Sequence, residues 1–195
     1  MSGALKVVAV CGSLQRPSRT LALVEAVLER LAQRLPLQVR LLELAEIGPA
    51  LAGVLQRDKL PAAVAEQIAA IEGAELLIAA SPVYRASYTG LFKHLFDFVQ
   101  HDALKNRPVL LAASGGSERH ALMIEHQLRP LFGFFQALSL PLGVYASESD
   151  FDDYQLLNPA LHERIERALD PLDALFAKRF RQAAGTSRAV PETQR

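Results

Sequence analysis

Apolar runs of strand length alternate along the chain with longer segments of helical spacing. Leu5–Cys11 (LKVVAVC) is a β-branched run that stops at Gly12-Ser13, as a buried strand feeding a loop would. Thr20–Leu35 places Leu21, Val24, Leu28 and Leu31 on one helical face. Gln38–Leu44 predicts a second strand, and Ala45–Leu60, broken by Gly48-Pro49 and Gly53, an irregular connection. Pro61 suits a first helical turn, and Val64, Ile68 and Ile71 carry that helix to Gly73. Glu75–Ala80 reads as a third strand, Thr89–Gln100 as a helix and Pro108–Ala113 as a fourth strand. Glu118–Ala137 reads as one long helix, interrupted by Pro130, which should kink it. Leu140–Ala146 predicts the fifth strand and Pro159–Phe180 a final helix. Residues 181–195 are polar and aperiodic, which predicts a disordered tail behind a single domain over 1–180.

Five strands alternating with helices predict an α/β fold, a doubly wound five-stranded parallel sheet in the order 2-1-3-4-5. In that order a crevice opens at the carboxyl ends of strands one, three and four. Three loops should line it.

The first, Gly12–Thr20 (GSLQRPSRT), carries three hydroxyls and two arginines into a helix start. Amides there have no intrahelical partner and face anions, so Ser13, Ser18 and Thr20 can donate to phosphate while Arg16 or Arg19 supplies charge. The plainer alternative is a serine-rich turn in which Ser18 only caps the helix. Neither dinucleotide-binding nor P-loop glycine spacing is present. The second loop, Ser81–Gly90, sets Tyr84, Tyr88 and Arg85 at a strand mouth, where Tyr84 and the Pro82-Val83 backbone could wall a flat aromatic ligand. Ordinary half-buried packing of the tyrosines, with Thr89 as a helix cap, would read the same way. The third, Ser114-Gly115-Gly116-Ser117, lets a backbone approach a ligand closely, although a Gly-Gly turn is also a common connector.

Composition narrows the classes. Lys plus Arg equals Asp plus Glu, 21 against 21, so no overall field favours nucleic acid or an anionic membrane. The lack of excess acid also disfavours an electron carrier that docks through an acidic face. No apolar run approaches the ~20 residues that span a bilayer, and the MSGALKVVAV start reads as a strand and not a leader. The lone Cys11 permits no internal disulfide and suits a reducing compartment, so a cytoplasmic location is expected. At the end of the first strand it reads as a small buried residue. His94, His101, His120 and His162 have no Cys or carboxylate at ligand spacing, so no metal is expected.

The G-S-x-x-x-x-S-x-T opening, the S-P-V-Y-x-x-S-Y-T-G-x-x-K segment and the following S-G-G-S resemble the NAD(P)H-dependent FMN reductases of the flavodoxin-like superfamily. The resemblance spans roughly residues 5–175. It is strongest to the small reductases of two-component systems that desulfonate alkanesulfonates or methanesulfonate. It implies a flavodoxin-like sheet, FMN and NAD(P)H as cofactors, hydride transfer from nicotinamide C4 to flavin N5, and delivery of reduced FMN to a separate monooxygenase. It further implies that Ser13, Arg16, Ser18, Arg19 and Thr20 hold the phosphate. Pro82, Val83, Tyr84 and Arg85 would line the isoalloxazine, and Ser114, Gly115, Gly116 and Ser117 its other edge. Relatives of this type are dimers or tetramers and carry an inserted residue, a π-bulge, at the interface. In the alkanesulfonate type that residue is a tyrosine. Here His126 stands in the matching Glu125–Pro130 segment, which leaves a stacking role in doubt and points to the methanesulfonate branch; a polar residue on an exposed helix face is the alternative.

Flavin chemistry needs no general base from the protein, and no catalytic side chain is assigned. Leu91–Val99 carries two apolar stripes where a sheet-packed helix needs one, and the Leu131–Phe135 run repeats the theme. A homo-oligomer through residues 89–100 and 118–137 is therefore expected. Three rivals share the fold: an FMN-retaining quinone or azo-dye reductase, a flavodoxin-like electron carrier, and a regulatory or structural protein with an empty crevice.

Overall fold

The computed structural model describes residues 3–186, with side chains placed for residues 3–177. Strands β1 (Leu5–Cys11), β2 (Leu37–Glu43), β3 (Leu76–Pro82) and β4 (Pro108–Gly115) pair in parallel in the order β2-β1-β3-β4. The fifth position beside β4 is shared by two short segments, β5 (Leu138–Ser139) against Pro108–Val109 and β6 (Val144–Ser147) against Ala112–Gly115. The order 2-1-3-4-5 is thus observed, and the sheet is flavodoxin-like. The expected continuous strand over 140–146 is instead interrupted. Pro141 falls inside that stretch, and its missing N–H cannot feed a ladder.

Helices cover both faces. On one, α1 (Arg19–Arg34) and α6 (Pro159–Thr186) bury Leu23, Val27, Ile165 and Leu169 against Val7, Ala9, Ile78 and Leu110. On the other, α2 (Leu44–Leu51), α3 (Ala62–Glu72), α4 (Gly90–Asp97) and α5 (Arg129–Phe134) pack against Val8, Val10, Leu77 and Leu111. Strands covered on both faces are apolar where they are buried, which is why β1, apart from its exposed Lys6, and β3 and β4 read as apolar runs.

Four expectations change. The connection over 45–60 contains α2, because burial of Leu44 and Leu51 and the close fit of Gly48 on Leu91 override the poor local propensity of Gly-Pro. The long helix over 118–137 is three pieces: a 3₁₀ turn Glu118–His120, a π-helical turn Ile124–Leu128 that contains His126, and α5. Pro130 then lies in the first turn of α5, where its missing donor costs little, so the break precedes it. The double stripe of α4 is also answered within the chain. Phe92, Leu95 and Phe96 are fully buried, and Phe96 packs edge-on against Phe132 with ring centres 5.0 Å apart. Finally, α6 continues to Thr186, six residues into the expected tail, whose remainder lies outside the described residues. No helix among the described residues is long and apolar enough to cross a membrane.

Candidate functional site

At the carboxyl ends of β1, β3 and β4, the three loops form an open crevice of about 250 Å³. Buried polar groups hold them together, each finding its partner on a neighbouring loop. Thr20 Oγ1 and Ser114 Oγ share a hydrogen bond of 2.6 Å. Thr89 Oγ1 donates to the Gly12 carbonyl at 3.0 Å and accepts the Phe92 amide as the N-cap of α4. The Val83 amide donates to the Ser114 carbonyl at 2.7 Å. First loop is thereby tied to second and third, and second to third.

The first loop closes on itself through Ser13, whose Oγ accepts the Gln15 amide and donates to the Gln15 carbonyl. Ser18 caps α1, its Oγ accepting the Leu21 amide at 3.3 Å, and its carbonyl takes the Ala22 amide. The Arg19 and Thr20 amides lie ahead of the first intrahelical acceptor and form the positive end of the helix. Capping does not exclude anion binding here, because Ser18 caps through a lone pair and its O–H stays a donor. The Arg16–Pro17 peptide is cis.

Ser13, Ser18, Arg19, Thr20, Pro82, Val83, Tyr84, Ser114, Gly115 and Gly116 all line the crevice. Three other expected residues stand elsewhere. Arg16 turns to the far side of its loop, where Nε donates to Glu43 Oε2 at 2.7 Å, a second nitrogen meets Glu43 Oε1, and Glu46 pairs at 2.9 Å. The cause is Glu43, only 6% exposed at the end of β2, whose carboxylate needs a cation. Arg85 sits with Ala86 at the tip of a tight turn, both at positive φ (49° and 67°), between the mutually bonded Tyr84 and Ser87. It borders a separate shallow hollow with Val83 and Tyr84. Ser117 contributes only its carbonyl, which accepts the Tyr145 hydroxyl at 2.6 Å. Burial pushes that phenol's pKa above its ordinary value.

Gly115 shows why the third loop needs glycine. A Cβ there would collide with the Tyr145 hydroxyl and come within 3.3 Å of Val83 Cγ2. Gly12 is similarly confined, its absent Cβ facing Phe92 Cδ2 at 2.8 Å and the Ala80 carbonyl at 3.0 Å.

Gln15 and Pro17 also line the crevice, as does Tyr154, from a part of the chain the sequence reading passed over. Tyr154 lies at the turn of a small antiparallel hairpin, β7 (Phe151–Asp152) and β8 (Gln155–Leu156). Asp150 anchors it: its carboxylate accepts the Ser147 amide at 2.7 Å and the Asn158 side chain, and its carbonyl accepts the Leu157 amide at 3.1 Å. Phe151 and Leu156 flanking an Asp-Asp-Tyr turn were the available signal. His126 is exposed on the π turn, which reaches the second loop through a 3.1 Å bond from Ser87 Oγ to Gln127 Oε1. No cluster of three metal-ligating side chains occurs among the described residues. The larger hollow, about 700 Å³ and lined by Leu55, Phe98, Leu131 and Phe134 among others, lies between α4 and α5 and touches the second loop at Tyr88.

The comparisons with known proteins agree with this geometry. The chain is 57% identical over 173 residues to the NADH-dependent FMN reductase SfnF of Pseudomonas putida, covering 88% of this chain and 93% of that protein. It is 52% identical over 179 residues to an FMN reductase (NADPH) of Pseudomonas aeruginosa, covering 92% and 96%. An oxidoreductase structure from Corynebacterium diphtheriae superposes with a TM-score of 0.80 at 32% identity, covering 91% of this chain and 99% of that one. Residues 5–152, which hold all three loops and β1 to β6, match the family described as NADPH-dependent FMN reductase, and the chain belongs to that family.

Proposed function

We propose that the crevice holds FMN and that the chain is an NAD(P)H-dependent FMN reductase supplying reduced FMN to a partner monooxygenase in sulfonate sulfur assimilation, in the cytoplasm. The observation that carries the reading is the interlocked set of three loops, with free helix-end amides, serine and threonine hydroxyls and Arg19 at one end and Val83, Tyr84 and glycine backbone at the other. Those donors match a phosphate monoester. The apolar and aromatic wall and the close Gly115–Gly116 backbone match a flat ring system. Bound FMN supplies the redox chemistry, taking hydride from the nicotinamide.

The chain's task is positional. Ser18 and Thr20 orient the phosphate, and Arg19 balances part of its charge. The rigid β4 end holds the ring edge, and the open side of the crevice leaves room for a second, transient ring. No side chain has to move a proton.

A homo-oligomer belongs to the same reading. Phe134 is 68% and Leu122 63% exposed, either side of the π turn, and Phe134 lines the 700 Å³ hollow.

The test is oxidation of NADH and NADPH by purified protein, with and without free FMN. Oxidation that requires and saturates with FMN is expected. Oxidation only with a quinone or dye, on retained flavin, replaces the proposal with an acceptor reductase. No oxidation in either case overturns it.

A further inference from the structure

The phosphate end of the crevice is bordered by an aromatic ring, that of Tyr154. Beyond it lies a second hollow of about 280 Å³, bordered by Arg16, Leu21, Ala22 and Glu25. The two spaces share three walls: Pro17, Ser18 and Tyr154. Pro17 and Ser18 belong to the loop that would hold the phosphate, so the partition stands where a ligand would have to continue past that phosphate. Tyr154 is the part of it that comes from a distant segment.

The ring is held by Arg19. The Arg19 guanidinium lies 5.8 Å from the Tyr154 ring centre. The same side chain donates through Nε to the Asp153 carbonyl at 3.2 Å and pairs with Glu148 at 2.9 Å. One arginine therefore faces the crevice and fastens the hairpin that carries the ring. A cation against an aromatic face stabilises that placement.

We propose that Tyr154 is the specificity-determining residue for flavin length, closing the crevice against a flavin dinucleotide while admitting a mononucleotide; this rests on the reading of the crevice as an FMN site. FMN ends at its phosphate monoester. FAD continues from that phosphate through a second phosphate to adenosine, and on this geometry the extension meets the Tyr154 ring. Without the ring, only Pro17 and Ser18 of the shared wall remain between crevice and outer hollow, and Pro17, Leu21 and Ala22 offer the extension an apolar surface.

The experiment is a titration of FMN and of FAD, followed by flavin fluorescence without pyridine nucleotide, on wild type, Tyr154→Phe and Tyr154→Ala. Thermal unfolding checks that each variant is folded. The wild-type protein is expected to prefer FMN. Tyr154→Phe keeps the ring and should keep the preference. Tyr154→Ala should bind FAD more tightly and lower the preference by about tenfold, the scale of one steric contact relieved. An unchanged ratio in a folded Tyr154→Ala protein overturns the gate, as does a ratio that falls only through weaker FMN binding. Equal wild-type affinities, or a Tyr154→Phe variant as permissive as Tyr154→Ala, overturn it too. If the wild-type protein binds neither flavin, the FMN reading itself falls and the gate with it.

Discussion

Thr20 and Ser114, 94 positions apart in the chain, share a buried 2.6 Å hydroxyl–hydroxyl hydrogen bond that joins the start of α1 to the end of β4. It holds two crevice walls at one separation. Thr20 is 2% and Ser114 6% exposed, so removing one hydroxyl leaves the other with few alternative partners. Thr20→Val, which keeps the shape, should cost about 1–3 kcal/mol in urea unfolding. Thr20→Val with Ser114→Ala should cost less than the sum of the single changes, because the second removes a group already orphaned.

The two arginines of the first loop separate by role. Arg19 lines the crevice, so Arg19→Ala should raise KM for FMN by about tenfold, the loss of one charge-assisted contact. Arg16 faces Glu43 and Glu46, so Arg16→Ala should lower Tm by stranding the buried Glu43 carboxylate. Its effect on KM should be the smaller of the two. Steady-state kinetics and thermal unfolding on both variants separate these effects, and a larger KM change for Arg16→Ala would refute the assignment.

Burial raises the Cys11 thiol pKa to about 11 from 9.0. At pH 8 roughly one thiol in a thousand is then ionised. A disulfide reagent should leave the native protein unmodified at that pH and label it on unfolding. The same shift has a stability consequence. Between pH 9 and 11 the unfolded chain releases a proton that the folded chain retains, so stability falls as pH rises through that window. Cys11→Ala should flatten that part of the unfolding profile.

Arg85 and Ala86 both hold left-handed backbone at the tip of the Tyr84–Ser87 turn. A Cβ there costs about 1–2 kcal/mol, and glycine gives back about 0.4–1 kcal/mol in unfolded-chain entropy. Ala86→Gly should therefore stabilise the protein by about 0.5 kcal/mol in urea unfolding. A destabilised variant would show that the turn is held by something other than its own backbone.

Phe134 is a large exposed aromatic beside the 700 Å³ hollow. If this face joins copies of the chain, wild-type protein sediments as an oligomer and Phe134→Glu shifts it toward monomer without lowering the monomer's α-helical signal. A monomeric wild type at micromolar concentration would remove the oligomer from the proposal.

The local pattern alone determined a great deal. β1, β3 and β4 are legible because strands covered on both faces are apolar along most of their length, and their loops are legible because an apolar run ending in Gly and Ser has few other uses. With right-handed crossovers, that is enough for the sheet order and for which loop tips meet. Which way a side chain turns from a loop was not legible. Arg16 and Arg19 are equivalent in sequence, and only a buried carboxylate 27 positions away draws Arg16 off the crevice. Nor was the fate of apolar excess: the second stripe of α4 is absorbed by Phe132 and Phe135 of the same chain, a partnership without local trace. Tyr154 reaches the crevice only because Asp150 and Arg19 set a two-strand hairpin beside a loop more than 130 residues earlier. Except where burial overrides it, as in α2, backbone conformation follows from neighbours along the chain, whereas the direction of a polar side chain follows from whichever distant charge folding brings within reach.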